Sequence, residues 1–232
     1  MNDLVRGLTQ AIRLILLADP ALMEIIFLSL RVTGFALVIS TLVGVPMGAA
    51  LGLTRVRARR LITALLYTGM GLPPVVVGLF VYLMLSRSGP FGQLSWLFTP
   101  SAMVVAQVII AFPLVSGLTM TAVQAVDPAL RLQVRSLGAT RLQEVWAVLR
   151  EARIGVVAAI VAAFGGIISE VGAVMLVGGN IEGKTRVLTT AIVLNTRTGE
   201  FSLALALGII LLALAFLANV AMLRLQGMTK DE

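Results

Sequence analysis

Along this chain the apolar positions fall into long blocks rather than into alternation, and short polar clusters separate the blocks. No charged residue occurs in 32–54, 61–86, 88–126, 154–169 or 201–223. A bilayer core about 30 Å thick is crossed by about 20 apolar residues of helix. The pattern therefore predicts five spans, at about 23–53, 61–86, 99–124, 154–177 and 201–223. The fourth reaches the necessary length only by continuing past Glu170. Ahead of the spans, Leu4, Leu8, Ile12, Ile15 and Leu16 share one helical face, with Arg6, Gln10 and Arg13 elsewhere. Residues 1–20 thus read as an N-terminal helix lying in the membrane interface. The expected fold is an all-α membrane protein, a single transmembrane domain over 1–232.

The one long polar stretch, 127–153, carries helix signals of its own. Asp127-Pro128 is a start, with an acid at the cap and proline in the first turn. Gly138 interrupts, and Thr140 with Gln143 forms a capping box that begins a second helix. Leu142, Val145, Trp146 and Leu149 then make an apolar stripe opposite Arg141, Glu144 and Glu151. Two short helices joined at a glycine, with an apolar stripe, predict a surface that docks into a groove on another protein.

Composition agrees with the blocks. The chain is 59% hydrophobic and 12% charged, about half the charge of a soluble domain. With no cysteine and no histidine, disulfides, the usual zinc sites, thiol nucleophiles and Ser-His-Asp chemistry are excluded. The net charge of +7 does not point to nucleic acid, because the arginines collect at span ends. "RVRARR" (55–60) and the stretch 127–153 hold nine of the 18 basic residues and are separated by two spans. The positive-inside tendency puts both in the cytoplasm, with the C-terminus, and puts the N-terminus outside.

"GGNIEGKT" (178–185) satisfies the phosphate-loop pattern G-x-x-x-x-G-K-[ST]. Such a loop works between a strand and a helix in a soluble domain. Here it follows a span and faces outward, so the match reads as a glycine-rich turn. Gly179, Asn180, Lys184 and Arg186 could also attract an anion arriving from outside. Gly44, Gly48 and Gly52, four apart, form a ridge for close helix packing. Pro46, Pro73, Pro74 and Pro113 interrupt three successive spans, which favours a transport path over a static anchor. Glu170 continues the face of Ala158, Ala162 and Gly166, and that face is expected to pack against protein. A carboxylate at membrane depth is either a hydrogen-bonded brace or part of a path or gate, together with Gly172.

The arrangement resembles the permease subunits of ATP-binding-cassette importers of type I. Their coupling loop has the pattern E-A-A-x3-G-x9-I-x-L-P. Gly138 matches its glycine and Val148 its isoleucine, whereas Leu132, Gln133 and Val134 replace the glutamate and alanines, and Arg150-Glu151 the final Leu-Pro. Within that group, "LPPVVVG", "SLGAT" and "EVGAVMLVGGNIEGKTRVLTTAI" resemble the molybdate and tungstate permeases, the last motif the tungstate members more. The resemblance implies import of a tetrahedral oxyanion delivered by an extracytoplasmic binding protein. A separate ATPase subunit dimer would hold ATP and Mg, and the permease would be a homodimer with no enzyme activity or cofactor of its own. Arg135, Gly138, Ala139, Thr140, Arg141 and Trp146 are the candidate contacts to the ATPase. The rival reading, a stand-alone channel or carrier, fits less well: one midplane carboxylate and no internal repeat are present.

Overall fold

The computed structural model describes residues 19–54 and 59–227, together with 5, 8–10, 12, 13, 16 and 17. The described residues form helices and turns, with no strand among them. Of the expected interfacial helix, Leu8, Ile12 and Leu16 are helical and exposed; Leu4, Arg6 and Ile15 lie outside the described residues, as do Arg55 and Arg57 of the basic run.

Helix α1 (Pro20–Leu53) has 34 residues, about 51 Å of rise. The Asp19 carboxylate accepts from the Leu22 N–H and caps it. It runs parallel to α4 (Pro100–Gln124), which carries Pro113 inside. The glycine ridge sets their approach. A Cβ at Gly48 would collide with the Ser116 carbonyl oxygen, and one at Gly52 would lie 2.7 Å from a Val123 methyl. Ala36, Ala111, Val115, Ala163 and Ile167 fill the core beside this pair.

The second span is not a kinked helix but a broken one. α2 (Arg59–Met70) and α3 (Pro74–Leu85) meet at 101°. Pro73 and Pro74 have no N–H to continue the ladder, and Pro73 holds the residue before it out of helix. The fourth span is broken as well. α7 (Arg153–Ile168) stops, residues 169–171 are not helical, and α8 (Gly172–Gly178) restarts. The two restarted halves meet: a Cβ at Gly78 would lie 2.6 Å from the Ala173 Cα, and one at Gly172 would lie 2.5 Å from a Val75 methyl.

Residues 187–200, between the glycine turn and the last span, contain α9 (Leu188–Arg197), packed on α10 (Phe201–Gly227) and α1. Among the described residues, three helices are long and apolar enough to cross a membrane alone, Pro20–Leu53, Pro100–Gln124 and Phe201–Ala221. The broken pairs α2–α3 and α7–α8 stand where the second and fourth spans were expected. Between α4 and α7 lie α5 (Pro128–Ser136) and α6 (Arg141–Glu151), the predicted hairpin.

Candidate functional site

Two regions concentrate polar chemistry, and α4 separates them. The hairpin α5–α6 follows its last residue. The glycine turn sits beside its first, where the Phe98 N–H donates to the Val177 carbonyl at 2.9 Å. The separation is about 37 Å along α4. The end of α1 is at the hairpin side, since Arg131 reaches the Leu53 carbonyl. The structure therefore brings the end of α1 to the hairpin and puts the glycine turn at the opposite end of α4.

The hairpin is built as the local signals specify. The Asp127 carboxylate accepts from the Ala129 N–H at 2.8 Å. Gly138 turns the chain at φ +81°, a region open to glycine and costly for other residues. The Thr140 hydroxyl accepts from the Gln143 N–H, and the Gln143 amide oxygen accepts from the Thr140 N–H at 2.8 Å. Both halves of the capping box are present.

What holds the two helices at their angle was not visible in the stripe. Glu144 is not on a solvated face with Arg141 and Glu151; it is buried, 4% exposed. Its Oε1 accepts from Arg131 Nε at 2.7 Å and from Arg135 Nη2 at 3.0 Å, and its Oε2 from Arg135 Nε at 2.8 Å. Hydrogen bonds from Arg135 and then Arg131 hold the carboxyl below the usual carboxylate range, against the opposing effect of burial. The Arg135 guanidinium is raised by the same bonds. Arg135, expected to face a partner, thus has a partner inside the chain.

The free surface of the hairpin is apolar. Leu142 and Trp146 are 79% and 70% exposed, whereas Val145 and Leu149 of the same stripe turn partly inward beside buried Val148. Leu132 and Leu137 are exposed too. Gly138, Thr140 and Arg141 are exposed and Ala139 half-buried along the same edge.

The break in the fourth span is the second region. Interrupting a helix frees carbonyls at one end and N–H groups at the other. Away from water each needs a partner. Gln107 Nε2 donates to the Ile167 carbonyl at 3.0 Å, and the Thr189 hydroxyl donates to the Glu170 carbonyl at 2.9 Å. The Glu170 Oε1 accepts from the Ala173 N–H at 2.9 Å, placing the carboxylate at the positive end of α8. Glu170 therefore does not continue a helical face; it stands in the gap and caps the second half. A cavity of about 10 Å³ adjoins it, lined by Ser29, Thr33, Gln107 and Thr189. The small-residue face itself is not packed within the chain: Ala158, Ala162 and Gly166 are exposed. Gln107 was detectable in sequence as an amide inside a charge-free run; Ser29 and Thr189 had no such signal.

Beyond α8, Gly179 at φ +73° ends the helix and Asn180 follows in the same left-handed region. Thr185, the last position of the phosphate-loop pattern, is fully buried. Its hydroxyl donates to the Gly178 carbonyl at 2.6 Å and accepts from the Ile181 N–H at 2.9 Å. It staples the turn, which is its structural role. Arg186 Nη1 pairs with Glu182 at 3.2 Å. Lys184 and Arg186 share a cavity of about 120 Å³ with Glu24 and Glu182, so two carboxylates balance two cations there.

Residues 44–228 match the family of binding-protein-dependent transport system inner membrane components. The chain belongs to that family. This permease is 39% identical over 226 residues to the tungstate uptake system permease protein of Peptoclostridium acidaminophilum, covering 97% of this chain and 99% of that one. It is 43% identical over 213 residues to a probable anion ABC transporter permease protein of Haloferax volcanii, covering 90% and 92%. Among solved structures, an inward-facing form of the MetNI methionine ABC transporter superposes at a TM-score of 0.76, with 19% identity, covering 91% of this chain and 97% of that chain. At that identity the likeness is one of fold. The permease is thus a multi-pass inner-membrane component with broken spans and a hairpin at one end.

Proposed function

We propose that this permease imports a tetrahedral oxyanion, tungstate before molybdate, as a homodimer driven by a separate ATP-binding-cassette ATPase dimer that holds ATP and Mg. The observation that carries the substrate is the near-full-length likeness to a tungstate uptake permease. The specific stretch 170–192 supports it. An extracytoplasmic binding protein delivers the anion. The N-terminus lies outside, and the hairpin and C-terminus lie in the cytoplasm.

The hairpin takes the ATPase. Its support is the exposed edge of Leu137, Gly138, Thr140, Arg141, Leu142 and Trp146, an apolar-and-cationic surface suited to a groove. Ala139 sits within that edge, and Arg135 acts behind it, through Glu144. A rigid-body movement of the hairpin would pass to α1 through the Arg131 contact with Leu53 and to α7 through the junction at Ala152.

The path runs between two copies, along the open face of Ala158, Ala162 and Gly166, toward the break at Glu170 and Gly172. Gly179, Asn180, Lys184 and Arg186 form its outer rim. The paired carboxylates beside the two cations suit a transient contact with the binding protein better than tight anion capture, which would trap the substrate.

The test is reconstitution of permease, ATPase and binding protein in vesicles, with uptake of tungstate, molybdate and sulfate measured by mass spectrometry. ATP-dependent uptake preferring tungstate is expected. Uptake without the ATPase would support a carrier instead, and a sulfate preference would reject the substrate assignment.

A further inference from the structure

We propose that a groove between α1 and the start of α4 binds an anionic phospholipid, its phosphate on Arg31 and one acyl chain along Phe35, Ile39, Val104 and Val105. This rests on no part of the transport reading. The groove has a volume of about 400 Å³ and is lined by those residues with Val32, Trp96, Pro100 and Ser101. That is within the range of small-ligand sites.

The first argument is charge. Arg31 lies eleven residues into α1, about 17 Å along its axis, and begins a run without charge to Thr54. Arg31 bounds that charge-free run at the level of the first residue of α4, where a headgroup phosphate can meet its guanidinium in a charge-assisted pair. Among the described residues it has no ion-pair partner: the ion pairs there join Arg131 and Arg135 to Glu144, and Arg186 to Glu182. Asp19 is occupied in capping α1, and Glu24 faces the cavity with Lys184. The described residues offer Arg31 no counter-charge, and the headgroups of the adjoining medium carry phosphates that can supply one.

The second argument is the two-part chemistry of the groove. The Ser40 hydroxyl donates to the Val108 carbonyl, which registers α1 against α4 and puts Arg31 level with Pro100. Arg31, Ser101 and Trp96 thus collect at one level, with Trp96 in the position where indoles mark a headgroup boundary. Below them the walls are wholly aliphatic or aromatic, and Phe35 and Ile39 are 54% and 41% exposed. A polar head over an apolar slot is the shape of a phospholipid, and a lone cation at the head selects a net negative one.

The test uses the assembled permease–ATPase complex. Native mass spectrometry with added phosphatidylglycerol or phosphatidylcholine should show one phosphatidylglycerol retained per permease copy, with at least a tenfold preference. Arg31→Gln should abolish the preference and Arg31→Lys keep most of it. Brominated phosphatidylglycerol should quench a fluorescence component that is missing in Trp96→Phe. Equal retention of the two lipids, or retention unchanged in Arg31→Gln, would overturn the proposal. So would an efficient disulfide between Phe35→Cys and a second copy, which would show that another permease covers the groove.

Discussion

Arg131 joins two helices and a span through one guanidinium: its Nε donates to Glu144 at 2.7 Å and its Nη2 to the Leu53 carbonyl at 3.3 Å. With Arg135 on the other carboxylate oxygen, Glu144 becomes the point at which α5, α6 and the end of α1 are tied. Glu144→Gln keeps the shape but leaves two guanidiniums facing an amide. Charge-assisted bonds of this kind are worth about 1.5–3 kcal/mol, and both arginines are partly solvated, which argues for the lower end. A fall in unfolding temperature of a few degrees is expected. The ratio of anion transported to ATP hydrolysed should fall more steeply, because the hairpin survives but moves loosely. An unchanged ratio would show that the clamp carries no force.

The same carboxyl dictates a pH dependence. Its pKa in the folded chain is held below the ordinary glutamate value of about 4.3. The stabilisation is therefore present above that ordinary value and is lost as pH falls through the depressed one. Coupling should be flat from about pH 5 to 8 and fail only in more acid solution, with no step near neutrality. Paired titrations of wild type and Glu144→Gln, read by thermal unfolding, should converge at low pH. Curves that stay parallel would place the effect elsewhere.

The ridge glycines separate close approach from mere abundance. Gly48→Ala puts a methyl against a backbone carbonyl of α4, whereas Gly34 has open space at its Cβ position. Overpacking typically costs about 1–3 kcal/mol. Gly48→Ala should lower thermal stability in detergent accordingly, and Gly34→Ala should leave it within about 0.5 kcal/mol. Equal effects would mean that helix propensity, not packing, is being measured.

Much of this was legible locally. The spans at 23–53, 99–124 and 201–223 rest on apolar length, and the hairpin rests on Asp127, Gly138 and the Thr140–Gln143 box, all of which act within a few residues. The break at Ser169–Val171 was not legible, because the surrounding sequence stays apolar and small. It is stabilised from Gln107 and Thr189, 60 and 19 residues from the groups they serve. Glu144 was misplaced for the same reason: a stripe reports one helix, and its partners lie on another, 13 and 9 residues back. The face of Ala158, Ala162 and Gly166, expected to pack against protein, finds no cover within one copy.

The brace at the break yields a graded prediction. Glu170→Gln retains an oxygen for the Ala173 N–H, so the cap survives; Glu170→Ala loses it, at about 1 kcal/mol. Gln107→Leu leaves the Ile167 carbonyl without its donor and should cost about 1–3 kcal/mol. If Glu170 is a brace only, transport should follow stability across the three variants. Transport lost in Glu170→Gln at full stability would assign the carboxylate to the path.

The proposed sidedness can be read directly, because the chain has no cysteine and every introduced thiol reports alone. Arg141 and Lys184 are both exposed and lie at opposite ends of α4, so one membrane-impermeant maleimide distinguishes them. Arg141→Cys in intact cells should remain unlabelled until the membrane is opened, and Lys184→Cys should label at once. Added ATPase subunit should then protect position 141 and leave 184 unaffected, because Trp146 and Leu142 flank only the former. Trp146→Ala should weaken that protection by about tenfold or more, as loss of a buried aromatic anchor does, while leaving the isolated permease as stable as before. Labelling of 141 from the exterior would reverse the orientation and remove the hairpin from the ATPase's reach.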